Sequence, residues 1–181
     1  KMDEYGDNGT YAYVNTSMIW SSKLGRSMGA DAVLESPIFH PPPCYHSRVD
    51  SPYFNSCTIR FSFCIFGATK AGLEIKLVEV LPQHDERISS IFWVFSKNDI
   101  KWQRTVAVLP NVTHRYYLQF HAVKGIARSS HFGLDDISMS PECFGIGVPS
   151  EETDGYVYNT SYCYNLVPDK DINENFINRT V

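Results

Sequence analysis

The chain has 181 residues and a formal net charge of −4, a length that favours one domain with room for a tail. Its 16 Lys and Arg are scattered among 20 Asp and Glu, so it has no basic field that would hold nucleic acid or an anionic membrane surface. Apolar residues make up 43% of the chain, enough for a sizeable core, but the longest apolar runs are strand-length and none spans a bilayer.

Strand signals dominate. Tyr11–Val14 and Asp31–Leu34 are short strand candidates. Between Pro41 and Pro52 the chain is polar and proline-rich and reads as a surface loop. Thr58–Phe66 then alternates cleanly. Ile59, Phe61, Phe63 and Ile65 share one face with Cys57, while Arg60, Ser62 and Cys64 face away. Leu73–Val80 alternates and then slips phase, which a bulge near Leu77–Val78 would explain. Ile91–Phe95 is a continuous apolar run of the kind expected in a fully buried strand. Trp102–Leu109 and Arg115–Val123 alternate, and Phe132–Met139 completes the set. Turn chemistry separates these runs at Gly67–Gly72, Pro82–Arg87, Lys97–Asp99, Pro110–His114 and Lys124–Ser130. No window carries helical periodicity over three turns. Many short strands punctuated by turns predict an all-β domain, a jelly-roll β-sandwich, over residues 1–143. Residues 144–181 read as an irregular tail or linker without a core of its own.

The five cysteines are Cys44, Cys57, Cys64, Cys143 and Cys163, with no CxxC and no zinc-finger spacing to His. Alternation turns Cys57 inward and Cys64 outward, which makes Cys57 the better structural partner for Cys143. Cys44 with Cys163 is the next pairing, leaving Cys64 unpaired, though three leftover cysteines allow three pairings, and an exposed thiol could bridge two chains. Five N-x-S/T sequons stand at Asn8, Asn15, Asn111, Asn159 and Asn178. Chance would supply roughly 1.5, so the excess points to a secreted glycoprotein. Lys1 opens the chain with no charged-then-apolar leader after it, and the expectation is a piece of a longer protein.

Five motifs in order resemble the MAM domain family: DEYGDNGTYAYVN; Gly29, Ala32, Leu34, Ser36 and Pro37; Cys57, Ile59, Phe61, Phe63 and Gly67; Trp102; and FGLDDIS…C ending at Cys143. The family's opening cysteine segment and its first disulfide are missing, so the N-terminal strand is expected to be truncated or replaced. Within that family, SPECFGIGVP and the terminal NFINRTV resemble receptors of the anaplastic lymphoma kinase type. The resemblance implies a non-catalytic adhesion or spacer module on the extracellular face of the plasma membrane, in a single-pass receptor tyrosine kinase. Its partners would be the neighbouring ectodomain and a second receptor copy, with ligand contacts lying mainly in a glycine-rich region that follows. The alternative is an accessory module, MAM or carbohydrate-binding, of a secreted or membrane metalloprotease or phosphatase.

Other motifs carry weaker chemistry. GRSMG (residues 25–29) matches the G-x-S-x-G elbow around Ser27, but a strand-like segment with Pro37 follows where a helix is needed, so a glycine-flanked turn is expected. His40, His46, His84, His114, His121 and His131 form no HExxH and read mostly as surface residues. Alternation sends one of Asp135 and Asp136 inward, where its carboxylate needs donors. In a second reading these acids join Asp3 or Asp7 around a hard cation such as calcium, as related jelly rolls sometimes do. No cofactor is expected beyond that candidate ion. Tyr156, Tyr158, Tyr162, Tyr164 and Phe176 in the tail are either anchors for a neighbouring domain or flank packing.

Overall fold

The computed structural model describes residues 10–16, 31–67, 70–96, 101–125 and 130–153. Its strands, in order, are β1 (Ala12–Asn15), β2 (Asp31–Glu35), β3 (Thr58–Gly67), β4 (Gly72–Val80), β5 (Glu86–Phe95), β6 (Gln103–Val108), β7 (Tyr116–Val123) and β8 (Ser130–Met139). They form two antiparallel sheets, the first in the order β1-β8-β3-β6 and the second β2-β7-β4-β5. Most of these described strands that are neighbours in sequence lie in opposite sheets, which is the winding of a jelly roll.

Alternation builds the core between the sheets. Ile59, Phe61, Phe63 and Ile65 of β3 are at most 4% exposed because one face of the strand meets the second sheet. Opposite them lie Leu73, Ile75 and Leu77 of β4 and Leu118, Phe120 and Ala122 of β7. Phe61 is the hub, edge-on to Phe92 at 5.2 Å and to Phe120 at 6.0 Å between ring centroids. Truncating such a ring to alanine costs about 3–5 kcal/mol.

Cys57 and Cys143 are joined in a disulfide, with alpha carbons 4.5 Å apart across 86 residues of sequence. A chain-entropy estimate for a loop of that length is about 4.6 kcal/mol. Cys44 is disulfide-bonded, and its expected partner Cys163 lies outside the described residues. Cys64 is not in a disulfide and is 7% exposed.

Four expectations need correction. First, β5 is an edge strand rather than a fully buried one, with Trp93 41% and Phe95 53% exposed. An apolar run does not say whether the sheet continues beyond it. Second, the register slip lies on β5, where Ile91 is the extra residue between Phe92↔Ile75 and Ser90↔Lys76. β4 itself pairs with β7 without a break from Gly72 to Glu79. Its change of phase arises because Val78 is covered on the outer face while Glu79 is buried. The Glu79 carboxylate is paired with Arg87 and accepts the Thr113 N–H at 2.8 Å.

Third, the proline-rich segment is not a surface loop over its first half, since Pro41 to His46 are all buried. Prolines lack an N–H, so burying three in a row orphans no donors. The following residues make a tight 3-10 turn, Cys44–His46, that plugs one end of the sandwich. His46 Nδ1 accepts the Cys57 N–H at 3.2 Å, and Nε2 donates to the Leu109 carbonyl at 2.8 Å. Ser140 Oγ accepts the Thr58 N–H at 2.9 Å and donates to the Ser56 carbonyl at 2.8 Å. Fourth, His46 and His121 are not surface residues, at 0% and 7% exposure.

After β8 the chain stays attached for a short distance. Phe144 packs on the core, and the one-turn helix α1 (Ser150–Thr153) is tied to the plug, with the Ser51 hydroxyl donating to Glu152 at 2.9 Å.

Candidate binding face

The outward side chains of the first sheet can be placed row by row from the register. Ser138, Arg60 and Val106 form one row across β8, β3 and β6. Asp135, Ser62 and Arg104 form the next, then Gly133 beside Cys64, then His131 beside Phe66. On β1, Tyr13 lies opposite Gly133 and Asn15 opposite His131.

The regular weave is broken between the first two rows. β3 passes from Arg60 to Ser62 while β8 passes from Ser138 to Asp135, so Asp136 and Ile137 together face one residue. That is a β-bulge. Asp136 takes φ +53, a left-handed conformation that an aspartate tolerates better than most side chains. The alternation expected for the acid pair therefore fails, and neither carboxylate enters the core. Asp135 Oδ1 accepts the Asp136 N–H at 2.9 Å, and the Asp136 carboxylate turns out to within 4.0 Å of the Arg104 guanidinium.

The bulge opens a trough of about 690 Å³ lined by Arg60, Ser62, Arg104, Val106, Asp136 and Ser138, among others. Ser62 is at its floor, 1% exposed, and Val106 and Ile137 are exposed at its rim. Arg60 and Arg104 stand against Asp136 in the lining and Asp135 in the adjoining row, so this face carries charges of both signs, with Arg60 outside any ion pair among the described residues.

An aromatic cluster continues the same face. Trp102, which leads into β6, lies on Gly133, where a Cβ would come within 2.8 Å of its ring. Tyr11 braces Trp102 edge-on at 5.2 Å and meets Tyr13 at 6.4 Å. The Tyr13 hydroxyl and His131 Nδ1 are 2.5 Å apart, and His131 stacks on Phe66 at 4.6 Å. The outer face of the second sheet is different, because its polar groups engage one another. Gln119 donates to Glu35, His121 bonds Gln119, and Tyr117 donates to Glu86. Burial, then the bond to Glu86, then the charges of Glu86 and Glu35 push the Tyr117 hydroxyl up to about 12.

The remaining sequence candidates fall as follows. Asn111 is exposed and Asn15 half-buried at the end of β1, while Asn8, Asn159 and Asn178 lie outside the described residues. Asp3, Asp7, Ser27, Tyr156, Tyr158, Tyr162, Tyr164 and Phe176 also lie outside them. Among the described residues, no three His, Cys, Asp or Glu side chains are grouped to hold a metal ion, and Asp136 already neighbours a cation in Arg104. No helix among them is long and apolar enough to cross a membrane. The outward set of Arg60 and Ser62 follows from alternation in β3. The convergence of Arg104 and Asp136 depends on the bulge, which no local signal marks.

The model of the MAM domain family (meprin/A5/mu) matches residues 2–144, and the chain belongs to that family. MAM domains are non-catalytic modules, typically extracellular. Among solved structures, a family 16 carbohydrate-binding module matches at 11% identity and TM-score 0.36 over 62% of this chain and 71% of that one. A CBM4 module matches at 9% identity and TM-score 0.36, covering 71% of this chain and 93% of its own. The C-terminal family 22 carbohydrate-binding module of Clostridium thermocellum Xyn10B matches at 16% identity and TM-score 0.34, covering 73% and 82%.

Proposed function

We propose that this domain is a non-catalytic adhesion and spacing module of a cell-surface receptor, and that it recognises its partner through the outer face of the first sheet. The observation that carries the reading is the trough itself, with Arg60 and Arg104 set on a rigid, disulfide-stapled sheet beside braced aromatic rings. Binding sites on rigid scaffolds of this kind lose little conformational entropy on engagement.

The receptor assigned is a tyrosine kinase of the anaplastic lymphoma kinase type, on the strength of SPECFGIGVP and NFINRTV. There the module would hold a neighbouring glycine-rich region in position and take part in contacts between receptor copies. Glycans at Asn15 and Asn111 would limit which sides of the sandwich approach a partner. A bead-aggregation assay with the ectodomain tests the reading. Reversing charge with Arg60→Glu and Arg104→Glu is expected to abolish aggregation while the melting temperature holds. Aggregation that persists unchanged would remove the trough from adhesion. A glycine-rich stretch following these residues in the parent protein supports the receptor assignment, and a zinc-protease domain preceding them overturns it.

A further inference from the structure

We propose that the trough on the first sheet binds an acidic saccharide, a pyranose carrying a carboxylate such as a sialic or uronic acid. The proposal rests on the reading of this face as a recognition surface and names its ligand class.

Position argues first for recognition by side chains. The trough lies over β3, whose backbone is taken up by β8 on one side and β6 on the other. An extended peptide binding by strand addition needs a sheet edge with unpaired backbone groups, and a central strand has none. Ligand chemistry must therefore be read by what projects from the floor.

Those projecting groups suit a charged sugar. Arg60 stands diagonal to Arg104 on the neighbouring strand and makes no ion pair among the described residues, so its guanidinium is placed to take a ligand carboxylate while Arg104 faces Asp136. A guanidinium meets a carboxylate through two parallel N–H···O bonds, the geometry a lysine cannot supply. Asp136 offers an acceptor across the trough, and the exposed hydroxyl of Ser138 can donate or accept. Sugar hydroxyls need this mixture of donors and acceptors. At one end the floor gives way to Trp102, held over Gly133 and braced by Tyr11. An aromatic face packs on the apolar C–H face of a pyranose and buries area that a small anion or a flexible acidic side chain would leave bare. The strained Asp136 fits the same account, since bulges and left-handed residues gather where a side chain must be re-aimed at a ligand.

The test is a titration of the whole 181-residue chain with sialyllactose and a glucuronic-acid disaccharide, against lactose and a neutral disaccharide of the same linkage, followed by NMR or calorimetry. The acidic sugars are expected to bind at millimolar or lower concentration, with the neutral partners about tenfold weaker. Added salt should weaken binding. Arg60→Ala should weaken it about tenfold at unchanged melting temperature, with Arg60→Lys restoring part of the loss. Equal binding of acidic and neutral sugars, no binding at millimolar concentrations, or indifference to Arg60→Ala overturns the proposal. A glutamate-rich peptide that displaces the sugar and binds more tightly also overturns it, in favour of a protein ligand. If charge reversal stops bead aggregation while no acidic sugar binds, the ligand class fails and the adhesion reading stands. If acidic sugars bind and aggregation is unmoved, the adhesion reading falls and the saccharide site stands.

Discussion

Replacing His46 with leucine should destabilise the domain far more than its place in a polar, proline-rich stretch suggests. The imidazole is 0% exposed, and each nitrogen serves a backbone group, the Cys57 N–H and the Leu109 carbonyl. Leucine fills much of the space but leaves both groups buried without partners. Each orphan costs about 1–3 kcal/mol, giving about 4 kcal/mol together. For a domain of this size that lowers the melting temperature by about 12 °C. Urea denaturation with the disulfide intact, read by tryptophan fluorescence, measures the loss. A change below about 1 kcal/mol would show that the plug is not held through His46. The same residue sets a pH dependence. Burial lowers its pKa, opposed in part by the bond to the Leu109 carbonyl. The unfolded chain therefore takes up this proton more readily than the folded one. The His46 contribution is full above about pH 6.5 and is lost as pH falls from there toward the folded value. His40, lowered by burial and by the charge of Arg115, acts in the same direction. The His46→Leu variant should consequently lose less stability than the parent between about pH 7 and pH 5, and equal losses would refute the assignment.

Gly133→Ala places a methyl 2.8 Å from the Trp102 ring and should cost about 1–3 kcal/mol by displacing it, visible as a shift in tryptophan emission. An unshifted spectrum with full stability would mean the ring is not seated there. Cys143→Ser opens the 86-residue loop and should lower unfolding free energy by up to about 4.6 kcal/mol in a denaturant titration. Cys64, 7% exposed, should react with iodoacetamide only as fast as the domain opens, and rapid labelling in native buffer would contradict its burial. Trp93→Lys, on the exposed side of β5, should change stability by about 0.5 kcal/mol or less while reducing self-association, and a large loss would place Trp93 in the core.

Legibility in the sequence followed how local each cause is. The inward row of β3, from Cys57 through Ile65, follows from period-two alternation and needs no knowledge of the partner strands. The Cys57–Cys143 bridge was readable for the same reason, since alternation separated Cys57 from Cys64. The edge position of β5 was not, because Ile91–Phe95 is equally apolar whether or not a further strand covers it. The plug failed similarly. Tyr45 and His46 are buried by backbone partners tens of residues away, while their neighbours are turn formers. At the candidate site, Arg60 was legible as outward-facing, but its meeting with Arg104 and Asp136 depends on a bulge created by tertiary pairing.

The staple between Cys57 and Cys143 also fixes how the domain carries tension. Force applied to the two ends of the chain has a covalent shortcut from the start of β3 to the 3-10 turn that follows β8, so the strands enclosed between the two sulfurs feel no direct pull. Among the described strands, β1 and β2 lie on the strained path ahead of the bridge. A cell tugging on this module would peel those two short strands and leave the six behind the shackle folded, so the trough floor between β3, β6 and β8 survives loads that strip the N-terminal side away.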